Sequence, residues 1–406
     1  MRNAIYPSEG DSWIMVENEG YSLRFYALML SATTFVLNFT LIQPIYSLFL
    51  IGKGITVVQL GVLLSIQNFI PLLLRIPMSV VVERFGRIRS LIVGLIVAGI
   101  SAVLFIYAQN YSQLLLVMVF SSITNSSFNQ TAMSTVSDAA PPMKQGDAMG
   151  RYLTFLAIGM LIGPAACSRL VESIGYNGLY WIAAVVPVIG VILLVFLAPQ
   201  NIRKRQKLED TKSIGATESM KMLLHNRSVV LLSICRVGFS TAQAIFLALF
   251  SIYAVEQLGF SEATVALLFT VRGFANTLAR YPAGWVSDKI GRKPLLFAGY
   301  GLLVVSYTMI AYTKSVLMLS IALALYGLCW GTRAVSEWAY LTDLVEPEIK
   351  TISISYLSSV FSLGSTIGSV AAGVLTLILP YSSIFMIGAA LNLAALPALL
   401  SIKKKP

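Results

Sequence analysis

Arg280-Tyr281-Pro282-Ala283-Gly284-Trp285-Val286-Ser287-Asp288-Lys289-Ile290-Gly291-Arg292-Lys293 ends an apolar segment with an acid, a base, a glycine and two more bases. An earlier stretch is built the same way, from Arg75 through Pro77 and Ser79 to Glu83-Arg84-Phe85-Gly86-Arg87-Ile88-Arg89. The copies lie 205 residues apart (Gly86 against Gly291) in a chain of 406, so the sequence reads as a doubled unit.

Each copy suits a tight hairpin at one face of a membrane. Gly86 and Gly291 let the backbone turn where a side chain would strain it. The bases enter hydrocarbon only at high cost and hold the loop on the cytoplasmic side. Glu83 and Asp288 can accept hydrogen bonds from neighbouring bases or a helix N-terminus. One copy alone could be topogenic charge; two copies in register argue for a part used twice.

Composition supports a membrane protein. Hydrophobic residues make up 57% of the chain and charged ones 12%, and the mean hydropathy is +0.78, outside the range of soluble globular domains. The net charge of +11 does not point to nucleic acid, because the bases sit in short clusters between long apolar segments. Cys167, Cys235 and Cys329 are scattered within apolar segments and form neither a disulfide framework nor a metal cluster. The single histidine, His225, argues against His-based metal or nucleophile chemistry. No cofactor is expected.

Twelve segments approach the length a spanning helix needs, about 20 mostly apolar residues. They are 25–49, 57–82, 90–109, 113–136, 150–172 and 179–198, then 228–254, 262–285, 294–312, 316–341, 353–378 and 382–401. With the N-terminal tail inside, 21 of the 29 bases fall on the cytoplasmic side, which sets both termini there. The expected organisation is a polar tail over 1–20, a six-helix bundle over 21–198, a cytoplasmic linker over 199–227, a second bundle over 228–402 and a basic tail over 403–406. The linker reads as a solvated connector, with contact to anionic lipid as the alternative.

The same offset relates Gly54 to Gly259, Gly94 to Gly299, Gly159 to Gly364, Gly163 to Gly368, Asp138 to Asp343 and Asn38 to Gln243. One register over six helices means a duplicated six-helix unit of parallel topology. Secondary transporters are commonly built this way, with the site at the midplane.

On these motifs the chain resembles the major facilitator superfamily of secondary transporters. Gly284, Asp288, Lys289, Gly291, Arg292 and Lys293 match the family's hairpin pattern in full; in the first copy Ser79 replaces the glycine and Glu83 the aspartate. The resemblance implies a loop that latches the cytoplasmic ends of the bundles when the site faces outward. Gly150, Gly159, Gly163 and Pro164 reproduce the helix-five spacing of the family's antiporters, which implies export, although Cys167-Ser168 replace the final glycine pair. The exporter-type arginine of helix four has no counterpart.

Ionisable groups inside a bilayer mark a pathway by default. Glu337 is the one carboxylate deep within an expected span, and Arg333 precedes it by four residues, on the same helix face. Burial disfavours the charged carboxylate and a neighbouring guanidinium favours it, so the pair can exchange a proton as its surroundings alternate; a static ion pair is the alternative. Arg236 and Arg272 add positive charge that an anionic solute would neutralise. By the resemblance, helices one, four, seven and ten line the cavity, which makes Arg236, Arg333 and Glu337 candidates for it. Asn38, Gln43, Asn125, Asn129 and Gln243 supply neutral polarity that orients a solute or ties helices together. Trp330 and Trp338 suit packing or stacking equally.

The expectation is a monomeric, multi-pass transporter of the plasma membrane, its partners a small-molecule substrate, protons and lipid. Proton-coupled efflux of a small organic molecule leads; uptake of an organic anion or sugar-like solute is the alternative. A polytopic enzyme would need a clustered catalytic set, which the chain lacks, and a receptor or scaffold would tolerate loss of the buried charges.

Overall fold

The computed structural model describes residues 16–17, 20–21, 23–126, 128–139, 145–197, 216–346 and 349–402. Most of the expected N-terminal tail, linker positions 199–215 and the basic tail 403–406 lie outside the described residues, as do the side chains of Asn125, Asp138 and Asp288.

A two-residue hairpin, β1 (Val16–Glu17) and β2 (Gly20–Tyr21), precedes the helices. The first half then holds α1 (Leu23–Ile42), α2 (Tyr46–Gly52), α3 (Val57–Phe85), α4 (Arg87–Tyr107), α5 (Tyr111–Asn125), α6 (Phe128–Ala139) and α7 (Gln145–Leu197). A short α8 (Ala216–His225) leads to α9 (Arg227–Glu256), α10 (Glu262–Ile290), α11 (Arg292–Tyr312), α12 (Val316–Leu344), α13 (Lys350–Leu375) and α14 (Tyr381–Ser401).

The repeat is visible in the helix limits. α3 and α10 begin and end 205 residues apart, and so do α4 and α11. Both long helices start from a hydroxyl cap at the matched position: Thr56 accepts from the Gln59 amide, Ser261 from that of Thr264. Both stop at a glycine in the left-handed region, Gly86 at φ 98° and Gly291 at φ 94°. There the next helix begins at once, so the expected tight hairpins are present.

Two expected spans take a different form. Segment 25–49 is broken, because Pro44 lacks an N–H and crowds the carbonyl four residues back; α1 stops at Ile42 and α2 restarts at Tyr46. Segment 113–136 divides after Asn125, where Ser121 and Ser122 both turn their hydroxyls to the Met118 carbonyl and Ser126 bonds that of Ile123. Such hydroxyls compete with the helix's own amides. Segments five and six lie within α7 as two helices that meet at a kink at Gly175 (φ 65°, ψ −175°), between the two expected spans.

Nine stretches among the described residues are long and apolar enough to cross a membrane, and the 51 residues of Asp147–Leu197 suffice for two crossings. Large apolar side chains face outward, as at Val185, Val188, Ile192 and Phe196 of α7. In lipid that outward face needs no cover.

Small residues bring helices together inside each half. A methyl on Gly163 would lie 2.7 Å from the Thr40 carbonyl carbon of α1, and one on Gly368 would lie 2.8 Å from Thr241 Cα of α9. A threonine seals each pair: Thr40 Oγ1 donates to the Gly159 carbonyl and Thr241 Oγ1 to that of Gly364, both at 3.0 Å. The halves meet along α3 against α13 and α7 against α10.

Candidate functional site

Between the halves lies a cavity of about 400 Å³, a volume typical of small-molecule sites. The break after α1 places Gln43 on its wall, beside Phe39 of α1, Gln67 and Asn68 of α3, Asn129 of α6 and Pro164 of α7. The second half contributes Gln243 of α9, Arg272 and Asn276 of α10, Trp330 of α12 and Phe361 of α13. Both halves therefore touch whatever occupies it.

The end of the molecule carrying Gly54 and Gly259 is drawn shut. Tyr176 at the α7 bend donates to the Glu262 carboxylate of α10, and Ser47 Oγ of α2 donates to the Leu247 carbonyl of α9 at 3.4 Å. A methyl on Gly61 would lie 2.6 Å from the Ser369 carbonyl oxygen, so α3 and α13 touch backbone to backbone. Towards the opposite end, the α3–α13 contact continues to Arg75, which donates to Ser359 and Ser362 at 3.3 and 3.4 Å. Beyond it Phe85, Trp285 and Ile290 are exposed.

Arg272 is 7% exposed. Its guanidinium lies 4.9 Å from the Phe269 ring centre and 5.9 Å from that of Trp330, and Nη2 donates to Gln43 Oε1 at 3.3 Å. Nη1 is buried without a partner, and no ion pair to Arg272 forms among the described residues. Gln243 Oε1, also on the cavity wall, is likewise unpartnered.

The other buried charges form a cluster in which Glu337 and Arg333 are enclosed and Arg236 is 6% exposed. Arg236 of α9 and Arg333 of α12 both bind Oε2 of Glu337, whose side chain is 0% exposed. The Arg236 guanidinium sits 4.7 Å from the Trp338 ring centre and 5.1 Å from that of Phe361, and Arg333 lies 3.6 Å from Phe239. Glu337 Oε1 has no partner. The expectation that Arg236, Arg333 and Glu337 face the cavity is corrected for the cavity described here: none of the three lines it, and Arg236 packs against Phe361, which does. The i, i+4 pairing of Arg333 with Glu337 is present as read, and Arg236 joins it as a second partner.

The remaining candidates are dispersed. Asn38 points away from the main cavity, donating to the Ala183 carbonyl of α7 at 2.8 Å, and lines only a smaller adjoining pocket. Asn125 and Asn129 fall on separate helices across the α5–α6 break, so their expected common face is not continuous. Of the hairpin residues, Glu83 and Arg84 are exposed, and Lys289 lies over the Trp285 ring at 3.7 Å. Arg292 bonds Asp343 at 2.9 Å and Ser287 at 3.2 Å, both in the second half. Arg280 donates to Asn276 at 3.1 Å. Gly150 is open, whereas Gly159 and Gly163 pack on α1 and Pro164 reaches the cavity. Gln67, Asn68 and Asn276 were not anticipated, although amides within apolar segments are the kind of signal that marks a polar interior.

Comparisons with known proteins agree with this architecture. The chain is 21% identical over 374 residues to an uncharacterised MFS-type transporter of Methanocaldococcus jannaschii, covering 90% of this chain and 94% of that one. It is 24% identical over 312 residues to the multidrug resistance protein MdtG of Escherichia coli, covering 76% and 75%. The crystal structure of the nucleoside transporter NupG superposes with a TM-score of 0.79 at 12% identity, over 95% of this chain and all of that one. The family model of the Major Facilitator Superfamily matches residues 28–261 and 232–406. The chain therefore belongs to the Major Facilitator Superfamily of transporters.

Proposed function

We propose that the protein is a secondary active transporter that moves a small organic solute by alternating access, exporting it in exchange for protons. The observation that carries this reading is the cavity: it is walled by both halves and closed at the Gly54/Gly259 end. A solute held there passes from one face to the other as the halves rock. In this reading the protein works as a monomer in the plasma membrane, with both termini and the basic hairpins on the cytoplasmic side.

Glu337 is the proposed proton carrier. It is a buried carboxylate with one free oxygen, held by arginines on two different helices. A shift of α9 against α12 would part Arg236 from Glu337, so movement within the second half changes the charge around the carboxylate. Export is supported by the helix-five spacing of Gly150, Gly159, Gly163 and Pro164 and by the kinship with a multidrug resistance protein.

The test is flux in proteoliposomes under an imposed proton gradient. Glu337→Gln alone would strand two buried arginines, so the informative variant is the Arg236→Gln/Glu337→Gln pair, which keeps the net charge of the triad. Solute flux that no longer responds to the gradient, with solute exchange intact, is expected. Unchanged proton-driven flux in the folded double variant refutes the role of Glu337. Gradient-independent equilibration of every solute would refute secondary active transport, and movement with the protons would reverse the direction.

A further inference from the structure

We infer that the solute is an organic anion and that Arg272 is the group that holds its carboxylate. This rests on the transport reading above and names the substrate class for the same cavity.

The argument starts from an imbalance. A guanidinium presents five N–H donors in a rigid fork and stays charged under all working conditions. Burying such a charge without a counter-ion is strongly unfavourable. Arg333 and Arg236 meet this cost by sharing Glu337. Arg272 does not: it has one amide oxygen at 3.3 Å, aromatic rings on its faces, and an Nη1 with no acceptor. The rings attract the cation through their negative faces, which accounts for its tolerance at that place. They leave the Nη1 donors unmet.

Those donors belong to a residue that lines the cavity. A carboxylate accepts two parallel bonds from such a fork, and so supplies both the missing acceptors and the missing charge. The surroundings describe the rest of the molecule. Phe39, Phe269 and Trp330 offer apolar and aromatic walls, so the body is a compact apolar or aromatic group. The unpartnered amide oxygen of Gln243 suits a single hydroxyl or N–H on that body. A volume of about 400 Å³ admits a one- or two-ring acid with room to spare.

The experiment compares isosteres on the purified full chain. Benzoate, 4-hydroxybenzoate, a naphthoate and cyclohexane carboxylate are tested against the corresponding neutral amides by thermal shift and calorimetry at constant ionic strength. At ~10 mM a ligand with a Kd near 1 mM already fills most of the sites. Saturable stabilisation by at least one carboxylate, absent with its amide, is expected. Arg272→Gln should abolish it, and Arg272→Lys, which keeps the charge but loses the fork, should weaken it roughly ten-fold. Arg272→Met should melt higher than the wild type without ligand, which shows that the loss of binding is not a loss of folding. Three results overturn the inference: amides binding as well as acids, Arg272→Gln binding acids normally, or no acid binding at all. Equal stabilisation by sulfate or chloride would also overturn it, in favour of an inorganic anion. The two readings fail separately. Acids that bind but are never moved by a gradient would sink transport and leave the anion site, whereas driven flux of a neutral solute alone would sink the anion site and leave transport.

Discussion

Tyr176, at the bend of α7, donates its phenolic hydrogen to the carboxylate of Glu262 in the first turn of α10. The bond joins the two halves at the end opposite the hairpins, and any opening there must break it. A hydrogen bond to a charged group contributes about 1.5 kcal/mol, roughly a ten-fold change in an equilibrium. Tyr176→Phe should therefore shift the protein towards opening at that end by about this factor. Cysteines introduced at Lys53 and Leu258 and carrying spin labels would report it, since Cys167, Cys235 and Cys329 are all buried. An unchanged distance distribution would show that the bond does not hold the closed state.

The triad makes an ordering of stabilities. Removing Arg236 leaves a neutral Arg333–Glu337 pair, whereas removing Glu337 leaves two buried cations. Glu337→Gln should lower stability by about 3–5 kcal/mol and Arg236→Gln by clearly less. Thermal melting of the two variants in one detergent decides it; the reverse order would mean that Arg236 is the residue the others depend on.

The glycines of α7 separate by position. Gly163→Ala puts a methyl into the α1 backbone and should cost about 1–3 kcal/mol through overpacking. Gly150→Ala meets nothing within 4 Å and should be neutral or slightly stabilising. Melting curves of the two variants check both.

At the hairpins the cost is in the backbone. Gly86→Ala has free space around the new methyl but a φ of 98°, so it should lose about 1–2 kcal/mol from conformational strain alone. Gly291→Ala should match it at φ 94°. A markedly unequal loss would show that the two turns carry different loads.

Much of this was legible in the sequence, for identifiable reasons. The duplication could be read because hairpin glycines and bases recur at one spacing, and the helices obey that spacing. Glu337 and Arg333 could be paired because four residues on a helix is a fixed geometry. The break at Pro44 follows from proline's missing N–H, which an uninterrupted run of hydropathy does not register. What was hidden depends on distant parts meeting. Nothing near Tyr176 points to Glu262, 86 residues away. Nor could spacing tell that Arg236 turns inward to Glu337 while Arg272 turns to the cavity. That depends on the rotation of α9 and α10, which their near-uniform apolarity leaves open.

The matched helix limits have one more consequence. Shifting Arg236, Arg272, Arg333 and Glu337 back by the repeat lands on Ser31, Gln67, Phe128 and Ala132, none of them ionisable. Phe128 instead stacks on Phe35 with ring centres 3.7 Å apart. The same repeat thus stands twice, once wired with ions and once insulated. The helices that carry the triad, α9 and α12, run unbroken, whereas their insulated counterparts stop at Ile42 and Asn125.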